Sequence, residues 1–127
     1  MTVTTNADRA SIEQAYEKLL GFVPGAVADK FETFEGAEPT ILAIEQGRAL
    51  ALTPKCFDPK TVQILQFAIY VALESQHAAD VHAKAAFRAG ATREELAAAA
   101  AIASVASGVP ALNLGVAAIR GAEKHSS

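Results

Sequence analysis

The sequence predicts an all-α protein of six or seven helices, and three observations carry that prediction. Apolar residues recur at three- and four-residue spacing along most of the chain. Gly, Pro and small polar capping residues are few and stand at the ends of those runs. Nowhere does a period-two alternation outcompete the helical spacing, so no strand is expected.

Residues 1–10 are polar and read as a frayed N-terminus, ahead of one domain over 11–122 and a tail over 123–127. Ser11 opens the first helical pattern, with Ile12, Tyr16, Leu19 and Leu20 on one face and Gly21 as its stop. Pro24 starts a second, with Val27, Phe31 and Phe34 on one face, ending near Gly36. Pro39 starts a third, carrying Ile41, Leu42, Ile44, Leu50 and Leu52, and Thr53-Pro54 ends it.

Asp58-Pro59 is a sharper signal, an N-cap acid followed by proline at the first helical position. The helix from Pro59 to about Leu73 is apolar almost all round, which places it in the middle of the molecule. Its exceptions are Gln63, Gln66, Tyr70 and Glu74. At about 100° per residue these four stay within roughly 80° of one another, forming one polar stripe. Ser75 is the expected N-cap of the next helix, which carries Ala78, Val81, His82, Ala85 and Ala86 and stops at Gly90. Thr92-Arg-Glu-Glu95 has the form of a capping box ahead of Leu96–Ser107. That helix is nearly all alanine, so close backbone approach to its neighbours is expected. Gly108 ends it, Pro110 opens the last helix, and Ala122 onward reads as tail.

Composition narrows the function classes. Apolar residues make up 51% of 127, with mean hydropathy +0.22. A domain this small has much surface for its volume, so part of that apolar content is expected between subunits. Net charge is −3 and no Lys/Arg cluster is present, which argues against nucleic acid as a partner. The start Met1–Ala10 has neither a basic front nor an apolar stretch, and Leu96–Val105 is too short to span a bilayer. A cytoplasmic protein without a membrane partner is expected. Cys56 is the single cysteine, read as an inert packed thiol; an intramolecular disulfide, a dithiol centre and a paired-thiolate zinc site are excluded by counting.

The constellation with most chemistry is Glu74-Ser75-Gln76-His77-Ala78-Ala79-Asp80-Val81-His82. On a helix beginning at Ser75, positions 75, 78 and 82 share a face, while His77 lies about 140° round from His82. That five-residue spacing does not place both imidazoles on one face, unlike the four-residue spacing of zinc-binding H-E-x-x-H, so no metal site is expected.

This segment resembles the carboxymuconolactone decarboxylase/AhpD-like family, whose peroxidase branch carries C-x-x-C-x-x-x-H at this helix start. His82, Ala86, Gly90 and Thr92-Arg-Glu-Glu95 stand at matching spacing. Ser107-Gly108-Val109-Pro110-Ala111-Leu112-Asn113 resembles the G-V-P-A-x-N segment of the decarboxylase branch, and Pro54-Lys55 before a long apolar helix resembles the region upstream. The resemblance covers roughly residues 20–120. It implies an AhpD-like all-helical fold and a homo-oligomer, a trimer or a hexamer assembled from trimers. The two cysteine positions are Ser75 and Ala78, and the family's relay glutamate on the preceding helix aligns with Gln63. The decarboxylase branch often has a carboxylate near where Ala78 stands.

A peroxidatic cysteine acts as a thiolate, and its sulfenate is resolved by a partner thiol. Serine and alanine can do neither, so thiol peroxidase chemistry is not expected. Acid–base chemistry remains, because an imidazole gives or takes a proton near neutral pH. Decarboxylation of a lactone acid needs no cofactor; it needs a stabilised enolate and a proton for carbon. The expected catalytic residues are His82, as general acid/base, and His77, orienting an anionic group near the helix N-terminus. Ser75, Gln63, Gln66, Tyr70 and Glu74 are expected to bind a small carboxylate or lactone. Two rivals are an antioxidant family member that has lost its cysteine pair and a non-catalytic oligomeric binding protein. Each residue also has a plain structural role available: Ser75 as cap, the glutamines as a polar seam, Glu94 and Glu95 as helix-start acids.

Overall fold

The computed structural model describes residues 8–126, with side chains through Lys124. Seven helices and no strand are present among them: α1 (Arg9–Leu20), α2 (Gly25–Thr33), α3 (Glu38–Ala51), α4 (Pro59–Ala72), α5 (Gln76–Arg88), α6 (Arg93–Ser107) and α7 (Val109–Ser126). The chain divides into two compact units, the first ending at Pro54 and the second beginning at Lys55.

In the N-terminal unit, α1 begins earlier than expected. Asp8 is the N-cap: its carboxylate accepts from Ser11 N–H at 2.8 Å and its own N–H donates to Ser11 Oγ at 3.0 Å. Ser11 is therefore the third helical residue, and Asp8 to Ala10 of the expected frayed segment belong to the cap and first turn of α1; the rest of that segment, residues 1–7, lies outside the described residues. This reciprocal pair satisfies two of the four orphan donors at a helix start. Ile12, Tyr16 and Leu20 are buried from α1, Val27 and Phe31 from α2. Phe34 is the C-cap of α2 and exposed, so it does not belong to the buried face. The largest departure is in α3, which buries Ile41 and Glu45 and leaves Ile44 and Leu50 exposed. A carboxylate is tolerated inside because polar groups from α1 and α2 converge on it, as described below.

In the second unit, α5 packs on α4 and α7, and α6 on the same two helices. Its core consists of Phe67, Val71 and Leu96 with a run of alanines, among them Ala79, Ala83, Ala86, Ala100 and Ala118. Small side chains allow close approach, and Gly115 of α7 sets the limit. A Cβ there would meet the Ala100 Cβ at 2.9 Å and Val71 Cγ2 at 3.3 Å. The predicted caps at Asp58 and Thr92 are formed, the latter as a full capping box with Glu95, which also pairs with Lys60 at 3.1 Å. α7 continues to Ser126, so residues 123–126 are helical rather than tail, and Glu123 holds Arg93 through a two-pronged contact. Residue 127 lies outside the described chain.

Two faces differ from expectation. The α4 helix is not covered all round: Leu65 and Ile69 are exposed, Ile69 at 55%, while Gln63 and Gln66 are buried. Likewise α6 packs only one side, through Leu96, Ala99, Ala100 and Ala103, leaving Ile102 and Val105 outside. A helix apolar on every side carries no signal for which side turns inward, so periodicity could not settle the matter. Among the described residues, no helix is long and apolar enough to cross a membrane.

Candidate functional site

The α4–α5 turn positions the candidate site, and its geometry is a Schellman closure. Ser75 N–H donates to Tyr70 O and Glu74 N–H to Val71 O, both at 3.0 Å, with Glu74 in the left-handed region at φ 55°. The next turn repeats the motif with Gly90, at φ 100°, where Ala91 N–H reaches Ala86 O. Glycine adopts that backbone freely, whereas an L-residue such as Glu74 is held there at a cost of about 1–2 kcal/mol. The end of α4 is further clamped by Ser107, whose hydroxyl donates to Ala72 O at 2.6 Å.

This turn brings three of the seven predicted residues into one cluster. His82 of α5 is only 4% exposed, and its Nδ1 lies 2.9 Å from Gln63 Oε1 on α4. Its ring stacks on Tyr70, also of α4, with centroids 5.0 Å apart and planes 8° from parallel. An amide oxygen only accepts, so Nδ1 carries the proton in this contact. One turn along α4 from both partners, Gln66 is buried and its Oε1 has no hydrogen-bond partner. A buried carbonyl oxygen without a donor is unfavourable by about 1–3 kcal/mol, so this amide stands ready for a donor.

The other predicted residues lie elsewhere. Ser75 takes the N-cap position of α5 without a side-chain cap bond, and is half-buried. His77, the second residue of α5, is exposed. Glu74 belongs to the turn rather than to α4, so it leaves the polar stripe and is exposed. Cys56 is exposed in the segment before α4, correcting its reading as a packed thiol; six residues without helix, from Thr53 to Asp58, offer no core to receive it. A groove of about 280 Å³ between α5 and α7 is lined by Gln76, Asp80 and Lys84 with small residues of α7, and includes none of the predicted residues. Among the described residues, no group of three or more His, Cys, Asp or Glu side chains is placed to hold a metal.

Sequence reasoning missed a second polar cluster, in the N-terminal unit. Buried Glu45 accepts from Tyr16 Oη at 2.6 Å through Oε2 and from Lys30 Nζ at 2.7 Å through Oε1. Arg48 donates to the Tyr16 hydroxyl, and its guanidinium lies over the Tyr16 ring, 5.0 Å from the centroid. Burial and then the bond to Glu45 push the Tyr16 phenol up to about 12, against the opposing charge of Arg48. Burial pushes the Glu45 carboxyl up as well, but the Lys30 and Tyr16 hydrogen bonds and the charges of Lys30 and Arg48 outweigh it. The net result lies below the ordinary value. The available signal was Glu45 one helical turn after Ile41, inside an otherwise apolar stripe.

Comparison with known proteins agrees with this architecture. A profile of the carboxymuconolactone decarboxylase family matches residues 42–121, well over half of the chain. A crystal structure from Burkholderia xenovorans LB400, assigned provisionally to the carboxymuconolactone decarboxylases, superposes with a TM-score of 0.78. It covers 94% of each chain at 20% sequence identity, which is a likeness of fold. No curated protein matches the sequence.

Proposed function

The chain belongs to the carboxymuconolactone decarboxylase family, and from that premise we propose that it is a cofactor-independent acid/base lyase or isomerase. Its substrate is a small carboxylate or lactone and its general acid/base is His82. The observation that carries the proposal is the buried imidazole fixed between the Gln63 amide and the Tyr70 ring. A histidine held in one orientation through Nδ1 and its ring face meets the geometric requirement for proton transfer in a bound complex.

In the decarboxylation this arrangement suits, the bond from carbon to the carboxylate breaks and carbon dioxide leaves. The electron pair passes into an enolate, and the imidazolium of His82, formed by taking up a proton from solvent, delivers that proton to carbon and returns to the neutral ring. Tyr70 and Gln66 supply hydrogen bonds to the substrate, Gln66 Oε1 as an acceptor for a hydroxyl. Gln63 keeps the ring oriented without adding charge, so the imidazolium is not over-stabilised and remains a competent acid. His77, with the N-terminal amides of α5 beside Ser75, is the proposed contact for an anionic group arriving at the helix N-terminus, and Glu74 in the preceding turn is a proposed acceptor for a substrate hydroxyl.

We further propose a homo-oligomeric assembly, a trimer or hexamer, in the cytoplasm. The exposed Leu65 and Ile69 of α4 with Ile102 and Val105 of α6 support it, since faces of this kind are normally covered. Light scattering at micromolar concentration checks it, and a monomer alone would refute it.

The experiment on function is a thermal-shift screen of small carboxylates and lactones, followed by turnover of the hits. Ligands stabilise by mass action. His82→Ala is expected to abolish turnover while the assembly persists; undiminished turnover removes His82 from the role.

A further inference from the structure

We propose that the N-terminal unit holds a second binding site, between α1 and α3, for a small monocarboxylate with a ring-sized hydrocarbon body. The cavity has a volume of about 150 Å³. Engineered apolar cavities of about that size accept benzene, so one ring or a branched chain of similar bulk fits. Ile12, Ala15 and Leu19 line it from α1, and Ala49 and Leu52 from α3.

Its chemistry changes along α3. Glu45 and Arg48 line the cavity one turn before Ala49 and Leu52, so it has a charged half and an apolar half. Within the charged half the balance is positive. Both oxygens of Glu45 are engaged, one by Tyr16 and the other by Lys30, whose charge cancels that of the carboxylate. Tyr16 stays neutral until strongly alkaline pH. Arg48 donates to the Tyr16 hydroxyl and lies over its ring; its charge also acts on Glu45, but among the described residues no carboxylate lies within ion-pair distance of it. A guanidinium has five donors, and a planar carboxylate matches them in pairs. An anion with an apolar body therefore complements both halves, whereas a cation is repelled and a neutral hydrocarbon leaves the guanidinium unmatched.

The test uses benzoate as the probe and benzyl alcohol as its neutral counterpart, titrated into isotopically labelled full-length protein and read by amide NMR shifts. Benzoate is expected to saturate shifts at residues 12–19 and 45–52, with benzyl alcohol binding at least about tenfold more weakly. Arg48→Gln should remove that difference and Arg48→Lys should retain part of it. Ala15→Phe, which fills the cavity from α1 and leaves the charged cluster intact, should abolish binding; it serves where Arg48→Gln fails to fold. His82→Ala should bind benzoate as the wild type does, which keeps this result independent of the α4–α5 site. Equal binding of the two probes, shifts confined to α4 and α5, persistence of binding in Ala15→Phe, or no saturable shift at residues 12–19 and 45–52 would each overturn the proposal.

Discussion

Replacing Gln63 by glutamate tests how the imidazole is controlled. In the wild type, His82 Nδ1 donates to a neutral amide at 2.9 Å. Gln63→Glu conserves shape and puts a negative charge about 3 Å from the ring. With an effective dielectric of about 20, two unit charges at that separation attract by roughly 5–6 kcal/mol, which is a ceiling. Gln63 is only 2% exposed, so burying the new carboxylate consumes part of this gain. The net expectation is a rise in the His82 pKa of about 1–3 units, equivalent to about 1.4–4 kcal/mol. Sign follows directly. A folded pKa raised above the unfolded one stabilises the variant fully below the unfolded value, and the gain is lost as pH rises through the raised value. Above that pH a buried carboxylate faces a neutral ring, and the variant should be less stable than the wild type. The assay is an NMR titration of the His82 ring in both proteins, with urea unfolding at acid and alkaline ends. A His82 pKa that agrees between the two within about 0.3 unit would refute the pairing.

Three further perturbations follow from the same structure. Glu74→Gly relieves the left-handed turn and should stabilise the protein by about 1 kcal/mol in urea unfolding, part of the relief being offset by glycine's greater unfolded-state freedom; destabilisation would show that the Glu74 side chain holds the turn. Gly115→Ala should destabilise by about 1 kcal/mol despite alanine's better helix propensity, because its Cβ meets Ala100 and Val71; a higher Tm would contradict that packing. The Tyr16–Glu45 pair should make stability pH-dependent at both ends. The raised Tyr16 pKa contributes stability that is lost between about pH 10 and about 12, and the lowered Glu45 pKa contributes stability lost as pH falls below its ordinary range. Tyr16→Phe should remove the alkaline loss, which urea unfolding across that range measures.

Much of the fold is legible in the sequence because helix ends are written locally. Asp58-Pro59 and the Thr92–Glu95 box act through contacts three residues apart, and both form as read. The Gln63–His82 contact spans 19 residues; the family resemblance flagged both positions, but spacing alone would not have joined them. What escaped depends on orientation or distance. Nothing in the run from Val62 to Val71 says that Leu65 and Ile69 face outward while two glutamines turn in. Glu74 fits the stripe by angle, yet helix α4 ends at Ala72 because the left-handed turn closes there. Glu45 stands one turn after Ile41, but the partner that draws it inside, Tyr16, lies 29 residues earlier, beyond the reach of local spacing.

The account rests on His82 moving a proton for a bound small molecule. Its most direct test follows the His82 ring by NMR while a ligand from the carboxylate and lactone screen is added, then measures turnover of that ligand by wild type and His82→Gln. The prediction is a perturbed imidazole, a shifted Gln66 side-chain amide, and conversion by the wild type alone. Conversion at equal rates by both proteins, or a bound substrate that leaves the imidazole signal unmoved, would contradict it.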